Sequence, residues 1–266
     1  DFVTSFKLDI TNLSKIKDIL YDHKPDYIIN TCALNNVDYC ETHPGEAKKI
    51  NCDFIENLSK ISENINCKIV HLSTDSVFDG NKKTPYIETD IPNPNNVYGH
   101  TKLAGEKFAL KNSNNVVIRA SVLYGYLPEN LANTNSSSMK PINFGLWLIN
   151  KLKSNEEVQI LQDEFSSPII ADDFARSIIH LLKENKSGIF HAAPNICINR
   201  YEFSKKIAQE LDLDSRLIKP VSNKTLGRKV HSGHNKCLDS TKIQISTKFK
   251  FLTLSESISL LKNNFN

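Results

Sequence analysis

The strongest constraint on the fold is an alternation of short β-branched runs with amphipathic stretches. The β-branched runs cover residues 26–30, 68–73 and 116–119, and apolar residues recur between them at spacings of three and four. Such spacing predicts helices, and strands that alternate with helices indicate βαβ units in a parallel sheet. We therefore predict an α/β fold: a Rossmann-like doubly wound parallel sheet with a smaller C-terminal α/β lobe.

The alternation is regular to about residue 125 and irregular beyond it. This change predicts a nucleotide-cofactor-binding domain over residues 1–143 and a substrate-binding lobe over residues 144–266. A helix predicted over residues 171–184 is expected to pack back on the first domain. Residues 128–140 are rich in Asn and Ser, which is typical of a mobile segment or lid.

Composition excludes several classes of protein. The chain has 266 residues, 39% of them hydrophobic, which suffices for one large domain or two small ones. No apolar run approaches the ~20 residues that a membrane span needs, and the first residues do not resemble a signal peptide. With 33 basic and 30 acidic residues, the net charge of +3 gives no reason to expect nucleic acid or a membrane as partner. We expect a cytoplasmic protein.

The cysteines and histidines show no metal-ligand spacing. The six cysteines contain no C-x-x-C pair, and the eight histidines are scattered. We therefore expect no metal site, and we expect all the cysteines to be free thiols in a reducing cytoplasm. They are Cys32, Cys40, Cys52, Cys67, Cys197 and Cys237.

The sharpest chemical signal is a Y-x-x-x-K motif at a predicted helix start, formed by Tyr98 and Lys102. Residues four apart lie on one helical face, so the phenol and the ammonium are neighbours. A nearby cation favours the phenolate, so Lys102 is expected to lower the pKa of Tyr98 and make it an acid or base for carbonyl chemistry. Taken alone, the spacing also fits an exposed helical pair.

A hydroxyl-rich turn precedes this motif. Ser73, Thr74, Asp75 and Ser76 follow a predicted buried strand. Because ligands bind at the carboxyl ends of parallel strands, the Thr74 hydroxyl is expected in the same cleft as Tyr98 and Lys102.

Residues 71–80, a proline-bearing loop and residues 96–106 together resemble the dTDP-4-dehydrorhamnose reductase family of extended short-chain dehydrogenases/reductases. Val77-Phe78-Asp79-Gly80 is the part that related epimerases and dehydratases usually lack. Further segments that resemble the family are residues 8–11, 24–30, 37–38, 166–168, 171–173 and 238–239, the last pair after Arg228.

The resemblance implies NAD(P)H-dependent reduction of a 4-keto sugar on a nucleotide. It implies that Thr74, Tyr98 and Lys102 are catalytic, that the partner is a nucleotide-sugar substrate, and it leaves a homodimer open. The cofactor, NADPH or NADH, would contact Asp9, Ile10, Asn30, Thr31, Cys32, Ala33, Asn51, Ser73, Tyr98 and Lys102. The substrate would contact Asn35, Val37, Thr74, Asp75, Ser76, Ser121 and Val122.

Two departures from the family fall where the sugar would lie. Ser76 stands where the reductases commonly have Tyr, and Val122 stands where they often have Trp. The regulatory β subunit of methionine adenosyltransferase resembles this architecture and also lacks that Trp. The alternatives are therefore a non-catalytic dinucleotide-binding subunit, or an epimerase or dehydratase on the same fold.

A third departure is the absence of a G-x-x-G-x-x-G turn from the 266 residues. That turn forms the pyrophosphate site of a Rossmann-like fold. Because the resemblance starts near Asp9, at the third strand of such a domain, we expect that the first βαβ unit is missing by truncation. We also expect weak binding of nicotinamide dinucleotides to these residues alone.

Overall fold

A parallel four-stranded sheet, in the order β1-β2-β3-β8, forms the centre of the protein. The computed structural model describes residues 7–127, 143–226 and 233–264; the expected lid at 128–140 and Arg228 lie outside them. The strands are β1 (Tyr27–Asn30), β2 (Lys68–Thr74), β3 (Val116–Ala120), β4 (Leu123–Tyr124), β5 (Val158–Leu161), β6 (Phe165–Ser166), β7 (Ile169–Ile170), β8 (Gly188–Ala192), β9 (Ile198–Asn199) and β10 (Ile218–Val221).

The register of the sheet brings the carboxyl ends of its strands to one edge. Thr74 pairs with Ala120, and Ala120 pairs with Ala192 on the other side. Every residue of β3 is buried, as expected for a central strand covered on both faces. These observations confirm the predicted α/β class and place Thr74 at the ligand-binding edge of the sheet.

Helices cover both faces of the sheet, and none of those described is long and apolar enough to cross a membrane. They are α1 (Leu13–His23), α2 (Val37–Thr42), α3 (Pro44–Lys48), α4 (Phe54–Asn64), α5 (Val97–Ala109), α6 (Phe144–Lys153), α7 (Ala171–Lys183), α8 (Arg200–Glu210), α9 (Asn223–Leu226), α10 (Thr241–Thr247) and α11 (Leu254–Asn263). A π-helical turn (Lys49–Asp53) separates α3 from α4, where the sequence predicts one continuous helix.

Alternate residues of the strands face two hydrophobic clusters. Ile69 and Val117 pack with α1, α4 and α5 on one face. Val70 and Ile118 pack on the other face with α7, which contributes Phe174. Because β8 also belongs to this sheet, the chain beyond residue 144 takes part in both regions, and the division at residue 143 stays a prediction.

A separate cluster joins α6, β5, α8 and α11. Leu148, Ile160, Phe203 and Ile258 are buried together there. Trp147 packs against this cluster, and so does Ile198 of β9, the residue after Cys197.

The expectation of six free thiols is wrong, because Cys197 and Cys237 form a disulfide across a Cα–Cα distance of 5.4 Å. The two cysteines are brought together by the strand pairing of Phe165. It pairs with Asn199 of β9 on one side and bridges to Asn235 on the other, so two distant segments become neighbours. The other four cysteines take part in no disulfide among the described residues. No local spacing in the sequence signals this pair, which is separated by 40 positions.

The disulfide predicts a thiol count. Protein denatured without reductant should react with Ellman's reagent at Cys32, Cys40, Cys52 and Cys67 only, and at all six cysteines after reduction. Cys237→Ser should release Cys197 and add one reactive thiol to the unreduced sample. Six reactive thiols in unreduced wild-type protein would show that the bond does not form.

Candidate active site

Helix α5 begins at the turn that follows β2, and a glycine makes this approach possible. The Asn96 side chain caps the helix by accepting a hydrogen bond from the Gly99 amide at 2.8 Å. A Cβ at Gly99 would lie 2.2 Å from the Ser76 carbonyl oxygen, so any other residue would force the helix away. Gly99 therefore brings Tyr98 against the end of β2.

A second glycine packs α5 against the π-helical turn. A Cβ at Gly105 would lie 2.4 Å from the Asn51 carbonyl oxygen. The buried Asn51 amide accepts from the Leu34 backbone at 2.8 Å and donates to the Leu34 carbonyl and to the Thr101 hydroxyl. Because these bonds engage both of its polar atoms, Asn51 holds the loop after β1 against α5, and its contact with a cofactor stays a prediction.

Thr74 and Tyr98 meet at the sheet edge. Thr74 lies close enough to Tyr98 to lower the pKa of the Tyr98 hydroxyl, against the larger effect of burial, which raises it. The Thr74 hydroxyl itself donates to Asp75 at 3.2 Å and accepts from the Ser76 amide at 3.1 Å. The expected lowering of this pKa by Lys102 is wrong: beyond burial and Thr74, the remaining influences are Asp75 and Cys40, which raise it. Tyr98 is therefore a protonated phenol at neutral pH, a state suited to a proton donor.

Lys102 lies on the same face of α5, only 2% exposed. Its Nζ donates to the Leu72 carbonyl at 2.6 Å, and burial lowers its pKa from 10.5 to about 8. His71, 3.4 Å away, is held neutral because burial and the Lys102 charge lower its pKa. The His71 Nδ1 pairs with the Asn30 amide nitrogen, so Nε2 carries the ring proton and cannot accept from Lys102. Among the described residues, no acceptor therefore takes the other two Nζ hydrogens of Lys102, and both remain for a ligand.

A buried ion pair, not foreseen from the sequence, holds α5 to two strands. Glu106 lies one further turn along from Lys102, and its carboxylate accepts from Arg119 Nε at 2.9 Å and Nη2 at 2.7 Å. It also accepts from the Ser73 hydroxyl at 2.5 Å. The sequence does show that Glu106 follows Lys102 by four positions and so lies on the same helical face. Its partner Arg119 on β3 could not be identified, because that contact depends on the register of the sheet.

Four of the expected substrate residues form one wall beside Thr74. Asp75 accepts from the Ser121 hydroxyl at 2.6 Å and from the Ser76 hydroxyl at 3.2 Å. Ser121 in turn accepts from the Ser167 amide. Val122 follows Ser121, and its carbonyl accepts from the Ile169 amide, which fixes the backbone of this wall.

The remaining expected cofactor and substrate residues occupy the end of β1 and the segment before α1. Asn30 is buried and accepts from the Cys32 amide at 3.2 Å, which orders the start of the loop. The exposed Asp9 caps its own turn by accepting from the Thr11 amide at 2.8 Å. Residues along these segments that are half-buried or exposed are Ile10, Thr31, Ala33, Asn35 and Val37. Over the described residues, no three His, Cys, Asp or Glu side chains cluster as a metal site requires.

The Lys102 pKa predicts how stability depends on pH. Between about pH 8 and pH 10.5 the unfolded lysine holds a proton that the folded one has lost, so the free energy of unfolding should rise with pH. Relative to Lys102→Met, wild type should gain up to about 3 kcal/mol across this window and nothing below pH 8. Urea unfolding of both proteins at several pH values measures the difference. A difference that stays flat from pH 7 to pH 10.5 would contradict the lowered pKa.

Comparison with known proteins shows a single protein family over nearly the whole chain. The profile described as RmlD substrate binding domain matches residues 2–265. A dTDP-4-dehydrorhamnose reductase of Escherichia coli is 30% identical over 78% of this chain and 67% of its own length. Methionine adenosyltransferase 2 subunit beta of Bos taurus is also 30% identical, over 82% of this chain and 64% of its own.

A solved structure agrees with the sequence comparison. The crystal structure of dTDP-4-dehydrorhamnose reductase from Bacillus anthracis in complex with NADP has a TM-score of 0.86 and 26% identity, covering 97% of this chain and 87% of that one. The likeness confirms the Rossmann-like architecture. From the profile match, the identity and the fold, the chain belongs to the RmlD substrate binding domain family, which includes the dTDP-4-dehydrorhamnose reductases.

Proposed function

We propose that the protein is an oxidoreductase that reduces the keto group of a nucleotide-linked 4-keto sugar with NAD(P)H, as a dTDP-4-dehydrorhamnose reductase does. The observation that carries the proposal is that Thr74 and Tyr98 lie beside each other at the carboxyl edge of the sheet. A pair of hydroxyls at this edge can hold one carbonyl oxygen between them, which is the requirement for protonating it.

In this mechanism the protein supplies position and a proton. Thr74 donates a hydrogen bond to the carbonyl oxygen of the sugar, and Tyr98 transfers its phenolic proton to the same oxygen. The raised pKa of Tyr98 keeps that proton in place until negative charge develops on the oxygen. When bound, the nicotinamide supplies the hydride to the carbonyl carbon, and the product is the secondary alcohol.

The described residues fit the nicotinamide-ribose half of the cofactor. Lys102 keeps two N–H donors directed away from Leu72, and vicinal ribose hydroxyls are acceptors for such donors. The end of β1, from Asn30 to Ala33, would lie beneath the nicotinamide, with Ser73 beside it. Asp9 and Ile10 would lie towards the adenine. The sequence contains no glycine-rich turn that would hold the pyrophosphate.

The wall formed by Asp75, Ser76, Ser121 and Val122 would contact the sugar, with Asn35 and Val37 across the cleft. Ser76 and Val122 are smaller than the Tyr and Trp that we expect in the reductases, so the cleft has room for a different or larger hexose. This difference, together with the similarity to methionine adenosyltransferase 2 subunit beta, favours a regulatory subunit as the second candidate.

A cytoplasmic location is part of the proposal, because NAD(P)H and activated sugars are substrates of cytoplasmic biosynthesis. The disulfide between Cys197 and Cys237 would then be an exception to the usual reduced state of cytosolic thiols. A homodimer is compatible with the proposal.

Substitution of Tyr98 tests the mechanism. Tyr98→Phe removes the proton donor and keeps the ring, so kcat for reduction of a dTDP-4-keto-6-deoxyhexose should fall by about 10²- to 10⁴-fold. Thr74→Val should also lower kcat, and both variants should leave the KM for the cofactor nearly unchanged. Steady-state oxidation of NADPH, followed at 340 nm, measures these changes.

Tyr124→Phe is the matched control. Tyr124 is a buried phenol, whereas Tyr98 is half-buried, and the Tyr124 hydroxyl bonds Ser257 at 2.8 Å in the separate cluster around α11. Its replacement should leave kcat unchanged. Wild-type turnover in Tyr98→Phe would rule out Tyr98 as the acid. A wild-type protein that reduces no dTDP-, UDP- or GDP-linked 4-keto sugar would favour the regulatory subunit.

A further inference from the structure

Lys236 is a buried cation without a hydrogen-bond partner. Its side chain is 6% exposed, and its Nζ makes no hydrogen bond within the described part of the chain. A buried ammonium group normally has hydrogen-bonded or ionic partners, because an uncompensated charge in the interior is costly. Burial accordingly lowers its pKa. An unmet donor of this kind indicates an acceptor that arrives with a ligand.

The segment that carries Lys236 lies against the proposed sugar cleft, because the Leu238 amide donates to the Ser167 hydroxyl and the Ser167 amide donates to the Ser121 hydroxyl of the substrate wall. The carboxylates whose charges act on the Lys236 ammonium are those of Asp75, Glu164 and Asp79. Asp75 belongs to the substrate wall and directly follows Thr74, which would hold the carbonyl oxygen. A sugar ring placed with its keto group at Thr74 and Tyr98 therefore brings an adjacent ring substituent towards Lys236.

The backbone around Lys236 is fixed on both sides. Its own amide donates to the Phe165 carbonyl at 2.9 Å. The next residue, Cys237, is bonded to Cys197, and the Leu238 amide donates to the Ser167 hydroxyl at 3.2 Å. Rigid attachment of the main chain is what a residue needs if it is to position a substrate group.

We propose that Lys236 is a specificity-determining residue that donates a hydrogen bond to the hydroxyl on the carbon next to the keto carbon, C3 of a 4-keto hexose. This proposal rests on the proposed function. It assigns a substrate class: nucleotide-linked keto sugars that keep this hydroxyl, in preference to their 3-deoxy analogues.

The charges near Lys236 favour a neutral hydroxyl over an anionic group. Three carboxylates act on one ammonium, and a neutral hydroxyl adds no further negative charge beside them, whereas a uronate or a sugar phosphate would. A hydroxyl can accept from Lys236 and donate to a carboxylate such as that of Asp75 at the same time. Rejection of a deoxy analogue then follows, because the lysine would stay buried and unpaired in that complex.

The test compares wild type and Lys236→Met on two substrates, a dTDP-4-keto-6-deoxyhexose and its 3-deoxy counterpart. Wild type should prefer the hydroxylated sugar in kcat/KM by about 10- to 100-fold, the range of a hydrogen bond to a charged group. In Lys236→Met this preference should shrink to a few-fold, while activity on the 3-deoxy sugar persists. A preference unchanged by Lys236→Met would overturn the proposal.

Stability and binding measurements make the result independent of folding and of turnover. Met fills the same space without a buried charge, so the melting temperature of Lys236→Met should equal or exceed that of wild type. Lys60→Met removes an exposed lysine paired with Glu56 and should keep the wild-type preference. If neither sugar is reduced by wild type, the proposed function fails. Calorimetry with the dTDP-6-deoxyhexose and with dTDP then decides on Lys236 alone: weaker sugar-nucleotide binding in the variant, with equal dTDP binding, supports it, and equal binding of both overturns it.

Discussion

The attachment of α5 to the ends of β2 and β3 is the constraint on which the site depends. Glu106 binds Arg119 and Ser73 in the interior, and Lys102 binds the Leu72 carbonyl, so one helical face is fixed at successive turns. Removing one partner of such a buried pair leaves an uncompensated charge and costs about 3–5 kcal/mol. The pair adds little net stability, because the loss of hydration offsets its attraction. It strongly disfavours other positions of the helix, because they would leave these charges unpaired. Tyr98, at the start of the same face, is placed beside Thr74 as a result.

Much of this arrangement could be predicted from the sequence, because its signals are local. The period of the apolar residues identified the strands and most helices, and the spacing of Tyr98 and Lys102 identified one helical face. What could not be predicted depends on partners distant in the chain. The disulfide between Cys197 and Cys237 follows from the pairing of Phe165 on two sides. The raised Tyr98 pKa follows from burial, and the four-residue spacing of Tyr98 and Lys102 does not indicate how deeply the phenol is buried.

The charged and polar groups differ between the catalytic side of the site and the proposed sugar side. On the catalytic side, burial keeps His71 neutral and lowers the pKa of Lys102 to about 8, so Lys102 is a cation at neutral pH and loses its charge in alkaline solution. On the proposed sugar side, Asp75 and Lys236, whose Nζ has no hydrogen-bond partner in the described ranges, offer polar groups that a hydroxylated ring can satisfy. The first arrangement suits proton transfer, and the second suits recognition. Both are held by backbone contacts at the carboxyl ends of parallel strands.

We propose that the site at this edge of the sheet reduces a sugar carbonyl with Tyr98 as the acid. Transfer of a label tests it most directly: the protein is incubated with a dTDP-4-keto-6-deoxyhexose and NADPH that carries deuterium at the transferable position of nicotinamide carbon 4. We expect a product alcohol with one deuterium on sugar carbon 4, which wild type forms readily and Tyr98→Phe forms much more slowly. An unlabelled product, or a labelled product formed equally fast by the variant, would contradict it.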